Sequence, residues 1–246
     1  MTHQSPYLAN RWLRRIIFAI PLVTIAAALA VGLWRVVNSP SFQFFGQIVP
    51  RVETTEPVIA LTLDDGPTSS FTHEILQLLA EKDVRATFFL IGSEIERNPE
   101  ETRSIIAAGH DVGNHSFSHK RMRLVTPGFV ADEIERTDRL IRDAGYERPI
   151  TFRPPYGEKL FVLPWYLSQN SRTTVTWDIA PESDFAGDTQ AIADHILRNA
   201  RGGSVIVLHV MYDRRRASMK AVGLAIDGLR SRGFRFVTIS ELLAMQ

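Results

Sequence analysis

VIALTLDDGPTSS, residues 58 to 70, is the stretch on which the fold turns. Residues 58–63 form an apolar run of strand length, and Gly66-Pro67 stops it abruptly. Between run and stop stand Asp64 and Asp65. Neighbouring carboxylates repel, so holding both at a strand end is unfavourable unless a cation or a proton-transfer role offsets it. A solvated turn is the ordinary alternative, since Asp is common in turns. The rest of the chain has to decide between the two.

Beyond Val58 the pattern repeats. Apolar, β-rich runs recur near 58–63, 86–91, 111–114, 150–153, 173–179, 203–208 and 234–238. Amphipathic segments at 72–81, 100–108, 130–144, 191–200 and 221–230 separate most of them. This alternation predicts a parallel α/β fold. There are about seven units over roughly 190 residues and no GxGxxG after the first strand, which favours an incomplete barrel over a dinucleotide-binding sheet. In both architectures the active site lies at the carboxyl ends of the strands, where Asp64 and Asp65 fall.

Composition narrows the chemistry. The 246 residues are 45% hydrophobic and 22% charged, as expected of a globular chain with a core. The net charge of +1 gives no electrostatic case for a nucleic-acid partner. Without cysteine there is no disulfide and no thiolate site, so any metal must be held by His and carboxylate.

The N-terminus departs from a soluble pattern. Residues 16–33 are apolar and uncharged over 18 positions, the lower limit for spanning a bilayer. Arg11, Arg14 and Arg15 precede them and Trp34 and Arg35 follow, which predicts a cytoplasmic N-terminus and an exported domain. The expected organisation is a basic segment at 1–15, a transmembrane segment at 16–34, a linker at 35–56 and the domain at 57–246. Trp34 and Arg35 favour an anchor over a signal cleaved after Ala30, which would release a secreted protein. The linker is expected to dock through Phe42, Phe44 and Phe45.

Later strand ends carry partners for the two acids. In AAGHDVGNHSFSHKRM, residues 107–122, His115 and His119 are four apart, a spacing that on a helical turn lets both bind one metal. His110 reads as structural. In TFRPPYGEK, residues 151–159, Pro154 and Pro155 stiffen the loop after Arg153 and leave the Tyr156 amide as the next donor. His209 closes the apolar run GSVIVLH as a candidate proton donor.

TLDDGP, NHSFSH, FRPPYG and VIVLH, in this order, resemble the motifs of the polysaccharide deacetylases, the NodB-type carbohydrate esterase family 4. The resemblance covers about residues 57 to 243 and implies a distorted (β/α)7 barrel. It implies that Asp65, His115 and His119 hold zinc or another divalent transition metal such as Co2+ or Ni2+. Asp64 would be the general base, Arg153 its orienting partner, the Tyr156 amide an oxyanion donor and His209 the general acid. Leu208, Pro154 and Tyr156 would contact the substrate. The family's D-x-x-D-W pattern is not matched by WDIAPESDF, residues 177–185; Asp178 is assigned the tuning of His209, with Asp184 as the alternative. Arg214, Arg215 and Arg216 read as a solvated helix start or as a contact for an anionic polymer. Trp165, Tyr166 and Trp177 could stack on sugars or fill the core. The expected reaction is hydrolysis of N-acetyl groups from an amino-sugar polymer such as peptidoglycan or a chitin-like glycan. O-deacetylation of a xylan-type polysaccharide and a silent glycan-binding module are the alternatives.

Overall fold

The computed structural model describes the backbone from Pro6 to Gln246 and side chains from Ile20 onward. The basic segment at 1–15, with Arg11, Arg14 and Arg15, lies outside the residues described at side-chain level. Helix α1 (Pro6–Val37) contains an 18-residue stretch, Ile20–Val37, long and apolar enough to cross a bilayer, and only 6% of that stretch is buried. A helix whose apolar surface is left open in this way is not a core helix.

Strands β1 (Ile48–Val49), β2 (Val58–Asp64), β3 (Thr87–Leu90), β4 (Asp111–Asn114), β5 (Thr174–Val175), β6 (Ser204–His209) and β7 (Arg235–Val237) form the sheet structure. Around them run α2 (Ser69–Glu81), α3 (Gly92–Arg97), α4 (Pro99–Ala107), α5 (Pro127–Asp143), α6 (Val162–Gln169), α7 (Glu182–Phe185), α8 (Thr189–Asn199), α9 (Arg216–Ser231) and α10 (Ile239–Leu243). The main sheet is parallel, in the order β4-β3-β2-β6, with β7 beside the first half of β2. Single-residue bridges carry the pairing onward, from Asn114 to Phe152, from Phe152 to Thr174 in β5, and from Ile179 back to Ile206 in β6.

Strand β2 shows why its sequence reads as an unbroken apolar run: every residue in it is buried. Alternation then divides it. Ile59, Leu61 and Leu63 pack into the outer core with Ile75 and Leu79 of α2 and Ile226 of α9. Val58 and Ala60 join an inner cluster with Phe89, Val175, Val205 and Val237. Continuing the same period places Thr62 and Asp64 on the inner face.

Two expected strands are shorter than their apolar runs. The run at 150–153 contributes one bridging residue, Phe152, because Arg153 turns into Pro154-Pro155, which cannot donate to a ladder. The run at 173–179 keeps two ladder residues and one bridge at Ile179.

The expected linker is built into the domain. Its β1 pairs in parallel with β5, Val49 and Val52 are buried, and the Val52 amide donates to the Gly203 carbonyl. Of the three expected docking residues Phe44 stacks on Phe161, but Phe42, Phe44 and Phe45 all stay exposed; the buried docking runs through Val49 and Val52, which fit the inner cluster. At the foot of α1 the Lys159 amide donates to the Val37 carbonyl, and the Lys159 ammonium donates to the carbonyl of Ser39.

Candidate active site

Parallel strands bring their carboxyl ends to one rim. In register, Asp64 faces His209 across β2 and β6, and Leu90 faces Asn114 across β3 and β4. A cleft opens there, lined by Asp64, Asp65, His115, His119, Tyr156 and His209, with Trp177, Tyr212, Arg214 and Arg215 on its walls.

The two acids occupy different environments. Asp64 is the last strand residue, and its carboxylate accepts a 2.5 Å bond from the Arg153 guanidinium. Arg153 is fully buried and lies over the Phe89 ring. It also donates to the Thr62 hydroxyl and to the carbonyls of Val175 and Thr176, so it cannot move away. Burial pushes the Asp64 carboxyl up, but Arg153, with His115 and His209, outweighs it and holds the group below its ordinary value. Asp65 lies just past the strand with φ at +73°, a left-handed conformation costly for a residue with a Cβ. The turn aims its side chain away from that of Asp64 and toward the histidines.

His115 and His119 do converge, though not on a helical turn. Residues 115–119 form a loop in which Ser116 (φ +64°) and His119 (φ +55°) take left-handed conformations. Their Nε2 atoms stand 3.2 Å apart, and the His119 Nε2 is 3.4 Å from a carboxylate oxygen of Asp65. One donor atom from each of Asp65, His115 and His119 falls within 4.8 Å of the others. The His115 Nδ1 lies 2.8 Å from the Arg153 carbonyl; a proton held there leaves Nε2 bare toward the cleft. Asp65 Oδ1 is buried with no hydrogen-bond partner. Two imidazoles and one carboxylate, whose Oδ1 has no other partner, suit a divalent cation.

The Pro-Pro loop holds Tyr156 at φ +59°. The turn's own hydrogen bonds come from the Gly157 and Glu158 amides and leave the Tyr156 amide out of them. Its ring packs on His119 and under the Arg121 guanidinium. Pro154 is buried, and its carbonyl accepts from Gly157; it shapes the turn and does not line the cleft. Leu208 is also set apart from the cleft. It pairs with Leu63 and packs wholly into the outer core, because alternation along β6 turns it away from the side His209 takes.

The partner of His209 is neither Asp178 nor Asp184. The Asp178 carboxylate accepts from the Ser204 hydroxyl and the Val205 amide at the start of β6. His209 is four residues further along that strand, about 13 Å at 3.3 Å per residue. No hydrogen bond or ion pair joins Asp184 to His209 among the described residues. Glu182, the first residue of α7, takes the place: it accepts from the His209 amide and lies 2.5 Å from Nδ1, and the Ser218 hydroxyl donates to it. Burial disfavours a charged His209 ring, but the Glu182 bond and the Asp64 carboxylate outweigh it and raise its pKa. In WDIAPESDF the family pattern points to the aspartates alone. The usable signal was the third acid, set behind Pro181 where a short helix can start.

Other candidates sort plainly. His110 accepts from the Ala86 amide, and burial lowers its pKa to about 4, so it is neutral and structural. Tyr166 bonds Glu135, and Trp165 lies outside the cleft wall; Trp177 alone of the three reaches the cleft. Arg216 pairs with Glu74 and Asp213, whereas Arg214 and Arg215 face the cleft.

The polysaccharide deacetylase family model matches residues 51–185. A peptidoglycan-N-acetylglucosamine deacetylase of Bacillus cereus is 31% identical over 80% of this chain and 93% of its own length. The peptidoglycan-N-acetylmuramic acid deacetylase PdaC of Bacillus subtilis is 34% identical over 79% of this chain, which spans 41% of that longer protein. A solved peptidoglycan N-acetylglucosamine deacetylase superposes with a TM-score of 0.74 at 29% identity, covering 85% of this chain and 95% of that one.

Proposed function

Because the chain belongs to the polysaccharide deacetylase family, we propose that it hydrolyses N-acetyl groups on an amino-sugar polymer of the cell surface, peptidoglycan first. The observation that carries this reading is the pairing of two carboxylates in unlike states: Asp65 among donors for one cation, and Asp64 locked to a buried arginine beside it.

Asp65, His115 and His119 would hold the cation, which we assign as zinc. When bound, such a cation polarises a carbonyl oxygen and acidifies water beside it. Asp64, kept ionised by Arg153, accepts the proton of the attacking water. The Tyr156 amide donates to the oxyanion that forms on the acetamide. His209, kept protonated by Glu182, hands its proton to the departing amine. Asp64 is fixed by Arg153 and His209 by Glu182, so the acid and the base need little rearrangement during turnover.

The bridges at Phe152 and Ile179 support reading the sheet as a distorted barrel, closed where the ladders are thinnest. The exposed apolar length of α1 supports a single-pass anchor with the domain exported and the N-terminus cytoplasmic.

The test is acetate release by the full chain, stripped of metal and reloaded with zinc. An N-acetylglucosamine oligomer, a peptidoglycan digest and an acetylated xylan serve as parallel substrates. Zinc-dependent release from either amide substrate supports the proposal. Release from xylan alone would make the chain an ester hydrolase, and silence on all three with zinc bound would sink the hydrolytic reading.

A further inference from the structure

Outside α1, the large apolar side chains left exposed are concentrated in one place. Phe42, Phe44, Phe45, Leu124, Phe161 and Trp165 are between 42% and 82% exposed. Apart from Tyr156 at the cleft, only Leu224 and Met245 match them elsewhere among the described residues of the domain.

The six lie on segments that meet at the foot of α1. Phe44 stacks on Phe161 with ring centroids 4.5 Å apart, and Phe42 meets Phe44 edge-on. Trp165 sits one helical turn beyond Phe161, its amide donating to the Phe161 carbonyl. A bridge from Met122 to Lys159 brings the segment bearing Leu124 alongside, and the Lys159 amide holds the Val37 carbonyl at the end of the helix. Leu124 and Leu160, with Arg123, face Ala30, Leu33 and Trp34 across a shallow apolar groove.

Water is a poor covering for such a surface, and exposed patches of this kind mark an interaction. The covering follows from continuity. Helix α1 is almost bare of protein contacts from Ile20 to Trp34, so whatever surrounds it ends where the collar begins. In the anchor reading that covering is lipid. Aromatic rings with a basic neighbour suit the level where acyl chains meet headgroups. Arg121 and Arg123, both half exposed and tied to Glu158, supply cations beside Leu124 that can meet phosphate oxygens.

We propose that this aromatic collar seats the domain directly on the lipid bilayer surface, an inference that rests on α1 being a membrane anchor. Tyr156 belongs to both the collar's edge and the cleft wall, being stacked with Arg121. The cleft therefore opens close to the headgroups.

The absence of cysteine makes the test direct, since one introduced thiol is the only label site. Leu124→Cys and Phe45→Cys would carry an environment-sensitive fluorophore in the full chain, reconstituted in vesicles with and without brominated lipid. Leu29→Cys is the reference for lipid and Leu224→Cys the reference for water. Seating predicts blue-shifted emission at 124 and 45 that brominated lipid quenches, as at 29, with no quenching at 224. Labels at 124 and 45 that behave like the one at 224, while 29 is quenched, would overturn the collar and leave the anchor standing. Blue-shifted emission insensitive to brominated lipid would mean that protein, such as a second copy, covers the patch, and would overturn it too. An unquenched label at 29 would remove the anchor reading itself.

Discussion

Asp64 and Asp65 are one bond apart in the chain and opposite in circumstance. The first ends a strand, so its direction is set by the two-residue period and its charge by Arg153. The second is turned out by a left-handed φ and leaves a buried oxygen without a partner. Asp65→Ala or His119→Ala should therefore lower zinc content measured by atomic emission. Asp64→Asn should keep the metal and lose turnover by roughly 10²- to 10⁴-fold. Metal loss in Asp64→Asn would reverse the division of labour. His209 gives a pH prediction. Its raised pKa keeps the ring protonated, so activity should fall as pH rises through that value. Glu182→Gln removes the bond that favours the charged ring, so the falling limb of the kcat profile should move to lower pH; an unmoved limb would leave Glu182 a structural role only. The paired acids were legible in sequence because adjacency at a strand end is a local fact. Glu182 was not, since reaching His209 depends on where α7 turns relative to the far end of β6.

At the scale of elements, strands were legible where apolar runs exceed the length of a turn, and they failed where other residues ended the ladder early. Pro154-Pro155 cuts the fourth run to Phe152, a limit visible in the sequence once donors are counted. The short helices α3, α6 and α7 gave no clear period, because their burial is decided by neighbours and not by a long amphipathic face. The His115–His119 loop shows the same thing from the site's side: the spacing suggested a helix, and left-handed residues achieve the convergence instead. Gly203 links two elements. It sits at φ +77°, and a Cβ there would lie 1.9 Å from the Val52 carbonyl oxygen. Gly203→Ala should destabilise the fold by about 2 kcal/mol or more, read as a lower denaturant midpoint with an unchanged slope. It should leave zinc affinity intact, because β6 reaches the rim at its other end.

For the molecule as a whole, the boundary expected at residue 57 falls inside the folded unit. Val49 and Val52 are core residues of the inner cluster, and burying each contributes about 1.5–3 kcal/mol. A chain beginning at residue 57 should melt roughly 10 °C below one beginning at residue 36. Equal melting temperatures in calorimetry would show that β1 only decorates the sheet. The alternation of runs and helices made the α/β class readable in advance, whereas the single bridges at Phe152 and Ile179 depend on pairings no local pattern encodes. The attachment of Lys159 to Val37 and Ser39 has a last consequence. An anchored enzyme on a loose rope would sweep a hemisphere and sample glycan at many heights. Here the stem has no slack. With α1 as the proposed anchor, the working layer would be a thin shell parallel to the membrane, and the strands deacetylated would be those that pass through it, the ones lying nearest the lipid.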